Sequence, residues 1–120
     1  MKDRFGFVKV AAATPLVKVA DCRANAEAIS RMTAEAVAQG ASVVVFPELS
    51  ITGYTCGDLF LQSRLLAAAD EALGSLLANP QPIVSIVGMP IYYKNNLYNC
   101  AVVIAGGKIE GIVPKSYIPN

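Results

Sequence analysis

The hydrophobic pattern of the first 46 residues predicts a strand, a helix and a second strand. Residues 6–13 form an apolar run typical of a strand, and residues 20–40 place apolar side chains on one helix face. The expected inward face of that helix comprises Cys22, Ala26, Ile29, Met32 or Thr33, Ala36 and Val37. Asp21 is placed to cap the helix and Gly40 to end it. Residues 42–46, SVVVF, resemble a buried parallel strand, so a right-handed β-α-β unit is expected.

The pattern then repeats once before it changes. Asp58 is a candidate cap for a second helix over residues 58–78, and residues 82–90 are predicted to be a third buried strand. The expected inward face of this helix comprises Leu59, Leu66, Ala69, Leu73 and Leu76. Short turns at 95–96 and 106–107 separate the next apolar runs and indicate two hairpins. The predicted fold class is therefore α/β, with a mixed sheet and two helices on one face.

Composition adds that this chain is unusually apolar. Hydrophobic residues make up 54% of its 120 residues and charged residues 16%, whereas average domains carry about 25% charged residues. Either its strands are covered on both faces, or the covering surface belongs to another part of a longer polypeptide. The length fits one domain over residues 1–120.

Charge and cysteine usage exclude several classes of function. The net charge is +1, without a basic or acidic block, so neither a nucleic-acid nor a membrane partner is expected. The first ten residues lack the apolar segment of a signal peptide. Three widely spaced cysteines suggest neither a disulfide framework nor a metal site, and the expected location is cytoplasmic.

The absence of histidine narrows the chemistry further. With no histidine in 120 residues, these residues cannot form a Ser-His-Asp or Cys-His arrangement, or a histidine metal site. Acid–base chemistry must therefore come from carboxylate, lysine, tyrosine or thiol groups.

Glu48 is the first candidate for such chemistry, because it follows the second predicted strand directly. Functional groups in open α/β sheets gather beyond the carboxyl ends of the strands. Pro47 restrains the strand exit, and an apolar strand end is expected to desolvate the carboxylate as a general base requires. From position alone, an acid that caps a loop or pairs with a surface cation is the more common arrangement.

Lys115, the cysteines and Tyr54 are the remaining candidates. Lys115 leaves the last strand after Pro114 and could stabilise an oxyanion, although a solvated lysine is more common. Cys22 and Cys100 are predicted to lie in the core, whereas Cys56, in the loop after Glu48, is a less favoured nucleophile. Tyr54 could contact a small polar ligand or simply pack on the helix behind it.

Several motifs taken in order resemble the nitrilase, or carbon–nitrogen hydrolase, superfamily. They are FPELSITGY, VGMP and LYNCAVVIAGGKIEGIVPKSYIPN, and they span essentially the whole chain. Within it, PELSITGYTCGDLF and PKSYIPN are similar to the glutaminase domain of the glutamine-dependent NAD synthetases. This resemblance implies the N-terminal half of a four-layer α-β-β-α sandwich.

The resemblance also implies a Glu-Lys-Cys triad that hydrolyses the side-chain amide of glutamine. Glu48 matches the general base, Lys115 the triad lysine, and Tyr54 a tyrosine near the glutamine pocket. The family's nucleophilic cysteine follows the lysine, beyond Asn120, so Cys56 and Cys100 do not inherit its role. The chain is therefore expected to be an N-terminal fragment, inactive by itself and without a cofactor of its own. ATP and magnesium would act in a separate synthetase domain absent from these residues, and a homo-oligomer is expected.

The sequence is compatible with two other functions. The chain could belong to another nitrilase-like amidase or carbamoylase that acts on a free small amide. It could also be a non-catalytic module that pairs through an exposed sheet face. The coding sequence after Asn120 would distinguish them, because only an NAD synthetase should continue into an ATP-dependent domain.

Overall fold

The computed structural model of the protein describes residues 6–53 and 63–114. Five strands form one sheet in the order β1-β2-β3-β4-β5. The strands are β1 Val10–Ala12, β2 Val43–Val45, β3 Val84–Tyr93, β4 Asn96–Ala105 and β5 Lys108–Pro114. The helices are α1 Cys22–Ala38, between β1 and β2, and α2 Ser63–Ala78, between β2 and β3. The predicted mixed sheet with two helices is confirmed.

Both helices lie on the same face because of the strand order. Strands β1, β2 and β3 are parallel neighbours, and each crossover moves one position in the same direction across the sheet. Right-handed crossovers in one direction place their helices on one side. The core lies between the helices and that side, where Ile29 of α1, Ala69 of α2 and Val44 of β2 are fully buried.

Helix α1 forms as its sequence predicts. The Asp21 side chain accepts a hydrogen bond of 3.1 Å from the Ala24 amide and so caps the first turn. Gly40 follows the helix with a φ of +83°, a conformation that glycine adopts without steric cost. The buried residues of the helix are Cys22, Asn25, Ala26, Ala28, Ile29, Thr33 and Ala36. The expected apolar face is thus confirmed, with Asn25 as an unpredicted polar member.

Helix α2 buries Ala69 and Leu73 and packs Leu76 against the core, as predicted, and differs from the prediction near its start. Leu65, Ala69, Ala72 and Leu73 are its buried residues, whereas Leu66 is half-buried. Placing Leu66 on the inward face was therefore wrong by one residue, because two adjacent leucines satisfy the same apolar pattern. The proposed cap Asp58 and the predicted inward residue Leu59 lie outside the described residues.

Two tight turns connect the antiparallel strands. Lys94 and Asn95 form the first turn with φ values of 48° and 65°, so the turn begins one residue earlier than predicted. Gly106 and Gly107 form the second turn, as expected, with φ values of 60° and 76°. Positive φ at both central positions is the geometry that suits the twist of a hairpin.

The opposite face of the sheet carries no helix among the described residues. On the covered face, Val87, Met89 and Val102 are almost completely buried. Side chains alternate between the faces of a strand, and the intervening Ile86 and Val103 are only half-buried. Val45, which alternates with the buried Val44, is 38% exposed. Within residues 6–53 and 63–114, no helix is long and apolar enough to cross a membrane.

Candidate active site

Glu48 lies in a bulge at the carboxyl end of β2. The Phe46 amide donates to the carbonyl of Ile86 at 2.9 Å, which extends the parallel pairing by one residue. The pairing resumes when the Ile51 amide donates to the carbonyl of Gly88 at 3.0 Å. Residues 47–50 therefore leave the plane of the sheet between two fixed points. Glu48 thus lies just past the end of β2, as predicted.

Gly88 of β3 makes room for the bulge. A Cβ at Gly88 would overlap the backbone nitrogen of Leu49 and lie 3.0 Å from the carbonyl carbon of Glu48. The same strand also holds the bulge by a hydrogen bond, because the Gly88 amide donates to the Ser50 hydroxyl at 3.1 Å. The backbone that carries Glu48 is thus seated directly on β3.

Asn25 ties the following loop to the rest of the fold. Its buried side chain accepts a hydrogen bond from the Lys18 amide at 2.7 Å and donates to the Lys18 carbonyl at 2.7 Å. It also donates to the Ile51 carbonyl at 2.9 Å. One helix side chain therefore joins the loop after β1 to the loop after β2, and buried polar groups that are fully hydrogen-bonded fix local structure.

The Glu48 carboxylate meets a side chain from β4. The Asn99 amide nitrogen donates a hydrogen bond of 2.7 Å to Oε1 of Glu48. Asn99 is only 6% exposed, whereas Glu48 is an exposed residue. The predicted desolvation of the Glu48 carboxylate against the strand end therefore stays a prediction.

Asn99 was missed by sequence reasoning. The sequence marked Asn99 only as a polar residue within the apolar run LYNCAVVIA. That signal does not reveal a partner, since Glu48 and Asn99 are separated by 51 residues. The contact depends on the register that pairs Asn99 with Pro90, two residues beyond Gly88 on β3.

An open groove runs beside Glu48 on the sheet face opposite α1 and α2. Its volume is ≈ 290 Å³. Its lining includes Val45, Glu48, Ile86, Asn99 and Val113. Apolar walls with a few convergent polar groups are typical of sites for small ligands. The groove thus offers a carboxylate and an amide to a small polar molecule.

Cys22 and Cys100 lie in the core, as predicted, each 3% exposed. Burial raises the pKa of the Cys100 thiol. Cys100 pairs with the fully buried Met89 and alternates along β4 with Asn99, so its side chain lies on the covered face. Cys100 is among the residues that line the groove, but a protonated, buried thiol is a poor nucleophile.

Three other candidates from the sequence have no described position. Lys115, Tyr54 and Cys56 lie outside the described residues. In the described part of the chain, no three histidine, cysteine, aspartate or glutamate side chains come together in a group suited to a metal ion. Lys115 and Tyr54 therefore stay predictions.

Comparisons with known proteins agree with this architecture. The pattern of the carbon–nitrogen hydrolase family matches residues 9–119. A glutamine-dependent NAD(+) synthetase of Mycobacterium tuberculosis is 41% identical over 117 residues, which make up 96% of this chain and 17% of that protein. The chain therefore spans less than a fifth of the length of this relative.

Solved structures give the same picture. A glutamine-dependent NAD(+) synthetase from Cytophaga hutchinsonii superposes with a TM-score of 0.86 at 27% identity, covering 94% of this chain and 20% of that chain. An amidase from Nesterenkonia sp. superposes with a TM-score of 0.78 at 20% identity, covering 94% of this chain and 44% of that chain. The second likeness establishes a shared fold.

Proposed function

Because this chain belongs to the carbon–nitrogen hydrolase family, we propose that it forms the N-terminal part of a glutamine-hydrolysing domain. In this proposal the whole protein is a glutamine-dependent NAD synthetase. The relative from Mycobacterium tuberculosis, 41% identical to this chain, carries that name and supports the proposal. The observation that carries the chemistry is the Glu48 carboxylate, which the bulge and Asn99 hold at the edge of the groove.

The proposed reaction begins with proton transfer to Glu48. The carboxylate accepts the proton of a cysteine thiol, and the thiolate attacks the side-chain carbonyl carbon of glutamine. The tetrahedral intermediate collapses with cleavage of the carbon–nitrogen bond. Glu48 returns the proton to the leaving nitrogen, so ammonia is released and a thioester remains.

Water completes the cycle. Glu48 removes a proton from a water molecule, which attacks the thioester carbon, and the proton then returns to the sulfur as glutamate leaves. Lys115 is proposed to stabilise the negative oxygen of both tetrahedral intermediates, and Tyr54 to line the glutamine pocket. Both assignments rest on the motif resemblance.

The nucleophile is proposed to be a cysteine that follows Lys115 in the family pattern, beyond Asn120. Cys22 and Cys100 are both buried, so neither supplies an accessible thiolate. The 120 residues alone are therefore proposed to be inactive. ATP and magnesium are proposed to act in the synthetase domain, which receives the ammonia.

Ammonia release by the complete protein tests this proposal. Glutamine should yield ammonia and, with ATP and deamido-NAD, NAD. Glu48→Gln should lower glutamine hydrolysis by about 10²- to 10⁴-fold, the usual contribution of a general base. Added ammonium should restore NAD synthesis, because only the ammonia supply is lost. The matched control is Glu35→Gln, which changes an exposed carboxylate of α1.

Two results would contradict the proposal. Full glutaminase activity in Glu48→Gln would remove the general-base role. Hydrolysis of free aliphatic amides, with no hydrolysis of glutamine, would instead support an amidase of the same family.

A further inference from the structure

We propose that Asn99 is a positioning residue that fixes the Glu48 carboxylate for proton transfer. The inference rests on the proposed function of Glu48 as the general base, and it adds a residue that the motif resemblance did not single out. Its direct support is the hydrogen bond of 2.7 Å from Asn99 Nδ2 to Glu48 Oε1.

The hydrogen bond from Asn99 restrains Glu48 at an exposed place on the bulge. Each rotamer that a glutamate side chain must leave to reach one geometry costs entropy. Catalytic groups work best when they are held close to one productive geometry. A hydrogen bond to Oε1 restrains both the direction of the side chain and the rotation of its carboxylate.

Asn99 is suited to hold the carboxylate because its own position is fixed. It is 6% exposed and pairs with Pro90 on β3. The next residue, Cys100, pairs with Met89 on one side and with Pro114 on the other. The strand is therefore anchored by two neighbours right beside Asn99.

The chemistry of the amide also fits this role. The nitrogen of an asparagine side chain donates hydrogen bonds and does not titrate, so it complements an ionised carboxylate without competing for its proton. A cation in this place would hold the carboxylate as well, but it would add charge to the groove. Asn99 therefore orients the base and leaves proton transfer to Glu48.

Two substitutions in the complete protein test the inference. Asn99→Leu removes the donor at similar size, and Asn99→Asp keeps the shape but places a second carboxylate beside Glu48. Both should lower the kcat of glutamine hydrolysis by about 10- to 100-fold, as expected for loss of a hydrogen bond to a charged group. KM should change less than about twofold, because the interaction serves the transition state rather than binding.

The control is Thr33→Val. The Thr33 hydroxyl is buried and donates to the Ile29 carbonyl at 2.7 Å within α1. This variant also loses a buried hydrogen bond, but on the covered side of the fold. Its kcat should stay within about twofold of the unmodified protein, so a general loss of stability is separated from a loss of positioning.

A double-substitution cycle decides whether Asn99 acts through Glu48. In a Glu48→Gln background, Asn99→Leu should cause no further fall in the residual rate. A full additional fall would overturn the inference and assign Asn99 to the fold alone. If Asn99→Leu fails to fold, Asn99→Asp is used for the same cycle. A normal kcat in either soluble variant also overturns the inference. Should Glu48→Gln itself keep full activity, the proposed function fails first, which is a distinct result.

Discussion

Gly88 lies directly beneath the backbone of Leu49, with no space for even a methyl group between them. The peptide that joins Glu48 to Leu49 therefore rests on the backbone of β3. Because the position of Glu48 depends on this contact, the glycine on a neighbouring strand determines the height of the carboxylate above the sheet.

Replacing Gly88 with alanine should displace the bulge. The added Cβ would also lie 3.0 Å from the Pro47 carbonyl oxygen, so backbone rather than a flexible side chain must move. We expect a loss of about 1–3 kcal/mol in the free energy of unfolding. In the complete protein, the kcat of the proposed glutamine hydrolysis should fall by about 10²-fold, since misplacement by about 1 Å can cost that much. Urea unfolding and steady-state kinetics measure the two effects.

The control for this substitution is Gly74→Ala on α2. A Cβ there meets nothing within 4 Å, and alanine in a helix is more favourable than glycine by roughly 0.5–1 kcal/mol. Gly74→Ala should therefore raise stability and leave kcat unchanged. Equal effects of the two alanines would contradict the close contact at Gly88.

Asn25→Ala should destabilise both loops that Asn25 joins. The substitution leaves the Lys18 amide and the Lys18 and Ile51 carbonyls without their present partner. Buried polar groups that lose a partner are costly, so we expect a loss of about 2–4 kcal/mol in the free energy of unfolding. Asn79→Ala removes one hydrogen bond from an exposed asparagine and should cost under about 1 kcal/mol. Similar changes in melting temperature for the two variants would show that Asn25 does not stabilise the two loops.

The Cys100 thiol should react only when the fold opens. Its raised pKa and its 3% exposure keep it protonated and inaccessible at neutral pH. Iodoacetamide should label Cys100 rapidly in denaturant and slowly in the native protein, as peptide mass spectrometry can measure. Rapid native labelling at pH 7 would contradict the position of Cys100.

The same thiol should make stability depend on alkaline pH. The native state holds the Cys100 proton more tightly than the unfolded chain, whose thiol titrates at about pH 8.5. The contribution of the protonated Cys100 thiol to the free energy of unfolding is therefore fully present below that pH. It is lost as pH rises toward the higher native pKa. Urea unfolding from pH 7 to 10 should show a steeper loss in the unmodified protein than in Cys100→Ala.

The first hairpin should accept a more favourable turn. Lys94 and Asn95 both have positive φ, and Asn-Gly is the preferred pair in such a turn. The double variant Lys94→Asn/Asn95→Gly should gain up to about 1 kcal/mol in the free energy of unfolding. Lys94→Val should lose about 1–2 kcal/mol, because a β-branched residue is strained in this conformation. The opposite order of thermal stability would contradict the turn geometry.

Local signals in the sequence predicted most of the architecture. Asp21 and Gly40 lie within two residues of the ends of α1, and the spacing of the apolar residues around Ile29 marks its buried face, so both its bounds and its face were predictable. In α2 the spacing predicted Ala69 and Leu73 correctly but did not separate Leu65 from Leu66, since both fit the apolar pattern and only packing selects Leu65. The placement of Glu48 at the carboxyl end of β2 was predicted from the apolar strand that directly precedes it.

The partner and environment of Glu48 could not be predicted from local pattern. Its exposure results from a bulge that begins after Phe46 and ends at Ile51, and no periodicity signals that excursion. The contact with Asn99 requires the register of β3 against β4 as well. These are relations between distant segments, whereas hydrophobic periodicity reports only on neighbours.

The order in which the chain can assemble follows from its strand connections. Strands β3, β4 and β5 are joined by tight turns, so their pairing closes short loops, while β2 must cross α2 to reach β3. Short loops close at a smaller entropic cost and form faster than long ones. Asn99 and Gly88 therefore belong to the segment that we expect to fold first, and Glu48 arrives from 51 residues away. We therefore expect the hydrogen bond between Asn99 and Glu48 to form after the hairpins of β3, β4 and β5.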